Sequence, residues 1–462
     1  MSDSLRHECG IALVRLTKDL KWYQEKYGTP LHGFNQLFLL MEKQHNRGQD
    51  GAGIGCVKIG SENGEAFLFR DREIGAQGLT QIFTRQIKAY SDKMREAVIV
   101  PEFPETVKRH FDFGGELLLG HLRYGTSGNF DSVSCHPYAR KSIWPTRNLL
   151  VAGNFNLTNT AELNASLTQR GAHVIYSTDT QSILEEIGFW LDEEHDRLFK
   201  AFKDQGLEGA AVQAEISKHM DIGNVLRRAA KNWDGGYAIA GLVGNGDSFV
   251  IRDPNGIRPC WYARTEDLIA VASERVALMT IVGVSQEDVH ELPAGHALIM
   301  KADGRHSVEA FHAPGEIRHC SFERIYFSRG NDPEIYAERK ALGAALADEV
   351  LALIQDDHHH AIFSYIPNTA EIAWYGLMEE LRLRRRSQVR GQLIEARVDG
   401  ESLLGVLVDH QVRTAAFGVR IGVDGVAEIG LSRHGGCLLL QLVSAVAVGE
   451  YMCILEYMQV LD

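Results

Sequence analysis

CGIALVRL, residues 9 to 16, alternates its apolar side chains as a β-strand does, and the reading of the fold starts there. GFNQLFLLMEKQ (33 to 44) follows with helical apolar spacing and ends in a glycine-rich turn. ELLLGHLRYG (116 to 125), NLLVAGNFNL (148 to 157), GGYAIAGLVG (235 to 244), SFVIRD (248 to 253) and LIAVASE (268 to 274) read as further strands, each closed by Gly, Asn or Asp. The spacing predicts helices over roughly 180 to 193 and 208 to 231. Runs of strands with few helices between them predict a layered α/β domain with mainly antiparallel sheets over about residues 9 to 300. After Arg318 the pattern changes. YAERKALGAALADEVLALI is an amphipathic helix, and AIFSYIPNTAEIAWYGLMEEL is an apolar strand, a polar turn and another helix, the opening of a parallel α/β domain. The boundary falls near 300 to 325.

Size and charge agree with two domains. At 462 residues the chain exceeds what one core organises, since cores stop growing at about 250 to 300 residues. A net charge of −13 and 45 glycines describe a globular protein rich in tight turns with no general affinity for nucleic acid. The most apolar stretch, CLLLQLVSAVAV at 437 to 448, is shorter than the roughly 18 residues of a membrane span, and MSDSLRHE lacks the apolar segment of a signal peptide. Seven cysteines (9, 56, 135, 260, 320, 437 and 453) without a CxxC pair fit a reducing cytoplasm. The basic run LRLRRRSQVR (381 to 390) reads as a solvated helix face. Asp356, Asp357 and His358 to His360 are too close in sequence to converge on one ion.

A nucleophilic cysteine needs a base, and no histidine is placed by the sequence as an obvious partner. If the first eight residues are removed as a propeptide, the α-amine of Cys9, with a reference pKa of about 7.7 to 8.0, accepts the thiol proton. CGIAL near the N-terminus resembles the opening of the N-terminal-nucleophile glutamine amidotransferases. QHNRGQDGAG (44 to 53), GHLRYGTSG (120 to 128), GNFNLTN (153 to 159) and STDTQ (177 to 181) follow in that family's order. The resemblance implies a layered αββα domain over residues 9 to 310 that releases ammonia from glutamine.

It also implies roles. Arg123 would bind the substrate carboxylate with its planar fork, where an ordinary strand-end arginine would be a surface charge. Asp179 would accept from the substrate ammonium, although Thr-x-x-Gln at 178 to 181 also looks like a helix capping box. Asn154 would donate its side-chain amide to the tetrahedral oxyanion, with the backbone N–H of Phe155 as second donor. Phe155 stands where the family motif has glycine, which a backbone donor permits if Phe adopts the required φ and ψ. Arg47 would pack near the nucleophile, and Thr126 would make a lesser substrate contact or stabilise its turn.

RDPNGIRP (252 to 259), VASE (271 to 274) and IYFSRG (325 to 330) narrow the resemblance to the amidophosphoribosyltransferases. That implies transfer of ammonia to phosphoribosylpyrophosphate, giving phosphoribosylamine at the first step of purine synthesis, with Mg2+ neutralising the pyrophosphate. The second domain, 311 to 462, is then phosphoribosyltransferase-like but incomplete, truncated or divergent after about residue 380. Its nearest candidate for the ribose-phosphate site, VLVDHQVRTAAFG (406 to 418), keeps Asp409 but carries His410 in place of a second acid. Cys320 precedes FERIYFSR without a later Cys-x-x-Cys, so it reads as structural and no iron–sulfur cluster is expected. The implied partners are glutamine and phosphoribosylpyrophosphate, in a cytoplasmic homo-oligomer without nucleic acid or membrane. The alternative is a glutaminase or inactive paralogue whose remnant second domain regulates or binds a partner.

Overall fold

The computed structural model describes residues 9–124, 135–174, 178–357, 360–367, 369–398, 438–442, 446–448 and 451–453. The chain divides into two compact units, residues 1–323 and 324–462. Thr126, Asp409, His410 and residues 1–8 lie outside the described residues.

Among the described residues of the first unit thirteen strands form two antiparallel sheets. One has the order β11 (Val289–Glu291), β9 (Trp261–Arg264), β10 (Leu268–Ala272), β1 (Gly10–Leu16), β4 (Leu117–Arg123), β2 (Gly51–Val57), β3 (Leu68–Ile74). The other runs β13 (His306–Ala310), β12 (His296–Met300), β8 (Ser248–Arg252), β7 (Gly235–Val243), β6 (Leu149–Leu157), β5 (Tyr138–Arg140). CGIALVRL becomes an inner strand, paired with β10 through Ala12↔Ala272 and with β4 through Leu13↔Leu119.

Strand side chains alternate between faces, and the two faces of β1 enter different cores. Ala12, Val14 and Leu16 pack with Phe34, Leu37 and Met41 of the helix His32–Lys43 on the outer side of the first sheet. Ile11 and Leu13 meet Leu150, Ala152, Ala238 and Ala240 of the second sheet in the layer between the sheets. The outer face of the second sheet carries Val151, Phe155 and Ile239 against Ile183, Ile187 and Leu191 of the helix Asp179–Asp204. Helix, sheet, sheet, helix is the layering that the family resemblance implies, and the mainly antiparallel sheets expected from the strand pattern are antiparallel throughout.

The helix expected over 208 to 231 is two helices, Ala210–His219 and Ile222–Ala229. Asp221 breaks it, its carboxylate accepting the backbone N–H of Asn224 at 2.8 Å as an N-cap for the second. YAERKALGAALADEVLALI likewise divides at Leu346 into Pro333–Ala345 and Ala347–Leu353.

In the second unit Asp332 caps Pro333–Ala345, accepting from the N–H of Glu334 at 3.0 Å. This helix crosses Glu371–Val398 so closely that a Cβ on Gly343 would lie 1.7 Å from the carbonyl oxygen of Ala373. A small core of Ala347, Val350, Phe363, Leu377, Met378 and Leu381 lies beside β14 (Ala361–Tyr365). β14 pairs in parallel with β15 (Leu438–Leu442), Ala361 opposite Leu438, as a parallel α/β opening requires. Among the described residues no helix is long and apolar enough to cross a membrane.

Candidate active site

Cys9 immediately precedes β1 and is buried. Period-two alternation carries its side chain to the face of Ile11 and Leu13, the inter-sheet layer. Asn154, fully buried on β6, is in step with Leu150 and Ala152 and so faces the same layer from the opposite sheet.

Phe155 sits opposite Tyr237, whose N–H donates to Asp253 Oδ2 at 3.3 Å and whose carbonyl accepts from the N–H of Asp253 at 2.8 Å. Both backbone groups of Tyr237 therefore point toward β8. Phe155 and Tyr237 form a non-hydrogen-bonded pair, and the N–H of Phe155 points away from β7. On that side β5 has already ended, its last contact being Tyr138 with Val151. The phenylalanine takes no positive φ, so replacing the family's glycine requires no unusual backbone at this position.

Four of the sequence motifs meet around the head of β1. Arg47, fully buried, donates through Nε to the carbonyl of Cys9 at 3.4 Å, pairs through Nη1 with Glu274 at 3.4 Å, and pairs through Nη2 with Glu323. Gln44 donates to the carbonyl of Ile11 at 3.2 Å and accepts from the N–H of Glu274 at 3.2 Å. Ser273 accepts from the N–H of Ile11 at 3.0 Å. Glu323 Oε1 accepts from Asn154 Nδ2 at 2.7 Å and lies 3.6 Å from Arg258 Nη1. The RDPNGIRP loop holds Arg258 there. The carboxylate of buried Asp253 takes the N–H groups of Asn255, Ile257 and Arg258 at 3.1, 2.9 and 3.0 Å, while Arg252 Nε donates to the carbonyl of Arg258 at 2.7 Å.

Arg123 ends β4 and is buried, and its Nη1 has no hydrogen-bond partner among the described residues. Such a guanidinium is suited to an anionic ligand. Gly48 makes its position possible: a Cβ there would lie 2.6 Å from the carbonyl carbon of Arg123. Asp179 is the first residue of its helix, half-buried, and accepts from the N–H of Leu157 on β6 at 3.4 Å. Burial pushes its carboxyl up to about 6, against the lowering effect of the N–H groups of Leu157 and Thr180. Thr178 is the N-cap, accepting from the N–H of Gln181 at 3.4 Å, but the Gln181 side chain turns to Glu185 at 2.6 Å, so the box is half formed. Thr180 Oγ1 lies 3.0 Å from His136 Nε2, and His136 Nδ1 accepts from the N–H of Gly153 at 3.3 Å. That chain joins the start of the Asp179 helix to the strand bearing Asn154.

The other described thiols differ from Cys9 in setting. Burial pushes Cys56 and Cys260 up to about 12. Cys320 is half-buried, its N–H donating to the carbonyl of Ile257 at 3.2 Å. Glu323, Asp253 and Gln44 received no role from sequence. Each lies within or beside a motif stretch; the partners of Gln44 and Glu323 are distant in the chain, Glu323 reaching Arg47 across 276 positions, whereas Asp253 acts within its own loop.

A buried cysteine heading an inner strand, with two antiparallel sheets stacked between outer helices, is the layering of the N-terminal-nucleophile fold. The chain is similar to amidophosphoribosyltransferases. It is 28% identical over 318 residues to that of Pasteurella multocida, covering 66% of this chain and 52% of the relative. It is 27% identical over 240 residues to that of Methanothermobacter thermautotrophicus, 51% of this chain and 44% of the relative. To that of Saccharomyces cerevisiae it is 25% identical over 281 residues, 57% and 50%. The chain thus spans about half the length of the curated relatives it matches. The fold is that of the glutamine phosphoribosylpyrophosphate amidotransferase of B. subtilis complexed with ADP and GMP, at a TM-score of 0.53 and 22% identity over 80% of this chain and 64% of that one. A second structure, an allosteric regulatory enzyme of purine biosynthesis, gives 0.55 and 22% over 80% and 63%. No protein-family model matches.

Proposed function

We propose that the first unit hydrolyses glutamine with Cys9 as nucleophile and that the ammonia is passed to phosphoribosylpyrophosphate. The observation that carries the glutaminase reading is the linkage of Cys9 to Asn154 through Arg47 and Glu323. Once residues 1–8 are removed, the α-amine of Cys9 takes the thiol proton and sulfur attacks the side-chain amide carbon of glutamine. The oxyanion receives hydrogen bonds from Asn154 Nδ2 and the N–H of Phe155. Collapse breaks the C–N bond, the ammonium of Cys9 returns its proton to the leaving nitrogen, and water then cleaves the thioester to glutamate. Arg123 holds the substrate carboxylate and Asp179 its ammonium, with Thr126 a further contact.

Phosphoribosylpyrophosphate with its Mg2+ would be bound through Asp409 in the second unit. The enzyme is assigned to the cytoplasm as a homo-oligomer. The chain beginning at Cys9 is expected to release equimolar glutamate and ammonia from glutamine, and Cys9→Ala to release none. Equal release by Cys9→Ala would remove the assignment. Calorimetry with phosphoribosylpyrophosphate and Mg2+ tests the acceptor: saturable binding that weakens in Asp409→Asn is expected, and no binding would leave the glutaminase alone.

A further inference from the structure

Glu323 is an acid almost wholly removed from water, and its carboxylate joins two parts of the glutaminase centre. Oε2 pairs with Arg47, whose Nε holds the carbonyl of Cys9, and Oε1 accepts from Asn154 Nδ2 at 2.7 Å with Arg258 Nη1 at 3.6 Å. With Glu274 on the other nitrogen of Arg47, two buried acids balance two buried guanidinium groups, which is what keeps such charges tolerable in the interior.

The contact with Asn154 has a consequence for chemistry. A side-chain amide has a donor end and an acceptor end of nearly equal shape, and its orientation is set by what it bonds to. A carboxylate only accepts, so Glu323 selects the orientation with nitrogen toward the site. Nδ2 carries two hydrogens. One goes to Glu323 and the other remains for an oxyanion, while Oδ1 has no partner among the described residues. Rotated by half a turn, the same side chain would aim a carbonyl oxygen at developing negative charge.

We propose that Glu323 is a positioning residue of the glutaminase site, fixing the Asn154 amide as an oxyanion donor and holding Arg47 on the backbone of Cys9; this rests on the glutaminase reading above. Glutamine at this position could accept from Nδ2 or donate to Oδ1, and so ceases to specify the orientation. In the chain beginning at Cys9, E323Q is expected to lower kcat for glutamine by about 10- to 100-fold with KM changed less than about 3-fold, because an interaction used in the transition state is lost while Arg123 and Asp179 still hold substrate. E323D, which keeps an acceptor-only group, is expected to recover part of kcat. In an Asn154→Ala background E323Q should lower kcat by less than it does alone, since the part of its effect that runs through the Asn154 amide is already lost.

Four results would overturn the proposal: unchanged kcat in E323Q, a raised kcat as for an inhibitory carboxylate seated in the oxyanion site, a change in KM alone, or a loss that multiplies with that of Asn154→Ala. Should E323Q not yield folded protein, E323D decides, with intermediate kcat expected and wild-type kcat contradicting. If the unsubstituted chain itself releases no glutamate, the failure belongs to the glutaminase reading; if it does and E323Q matches it, the failure belongs to Glu323.

Discussion

In the proposed glutaminase, Asn154 and Asp179 would act at opposite ends of a bound glutamine, and kinetics would separate them. Replacing Asn154 with Ala removes a donor needed as charge develops, so kcat for glutamate release should fall by about 10²- to 10³-fold with KM little changed. A raised KM with kcat intact would make Asn154 a binding residue instead. Asp179 must be ionised to attract the substrate ammonium, and burial places its carboxyl at about 6. As pH rises through that value the carboxylate forms, so KM for glutamine should fall between about pH 5 and 7. Asp179→Asn should keep a high KM that no longer changes over that interval. A parallel pH profile in the variant would assign the titration to another group.

Elements depend on close backbone approaches that no periodicity announces. Gly48 lets the turn after Arg47 pass against the end of β4, where a Cβ would meet the carbonyl carbons of Leu122 and Arg123 at 2.6 Å. Both neighbours are backbone, so Gly48→Ala must displace either the Arg47 turn or the strand that presents Arg123. A loss of about 1 to 3 kcal/mol in denaturant unfolding is expected, together with a higher KM for glutamine. Unfolding at the wild-type midpoint would show that the turn yields freely. The strands around this turn were legible because alternation or continuous apolar runs reveal them: β1, β4, β6, β7, β8 and β10 fall where the sequence places them. The break at Asp221 was not, since apolar spacing continues across it and the carboxylate's bond to Asn224 is a local competitor that periodicity does not weigh. Strand order was equally hidden. β1 lies between β4 and β10, more than 100 and 250 positions away, and nothing local encodes such pairing.

For the molecule as a whole, sequence offers the candidate site as a list of residues but not as an assembly. Motif wording singles out Cys9, Arg47, Asn154 and Phe155, whereas the acids and amides around them, Glu323, Glu274 and Gln44, act through long-range bonds. One consequence concerns acid stability. His121 lies between the sheets, ring to ring with His136 at 4.2 Å, and burial, aided by the positive fields of His136 and Arg123, holds it well below its usual 6.5. The unfolded chain takes up this proton near 6.5 and the folded one does not, so stability is complete above that pH and declines as pH falls below it. His32 and His195, also lowered by burial, add to the same limb. The melting temperature should therefore drop between pH 7 and 5, and His121→Asn should flatten that drop; an equally steep drop in the variant would place the linkage elsewhere.

The proposed role of Cys9 as nucleophile is open to direct chemical trapping. A diazo-ketone analogue of glutamine, added to the chain beginning at Cys9, should raise the intact mass by one adduct, mapped to the peptide containing Cys9, with excess glutamine slowing the reaction. An adduct on Cys135, Cys320 or any other thiol, or none on Cys9 in that processed chain, would contradict the account.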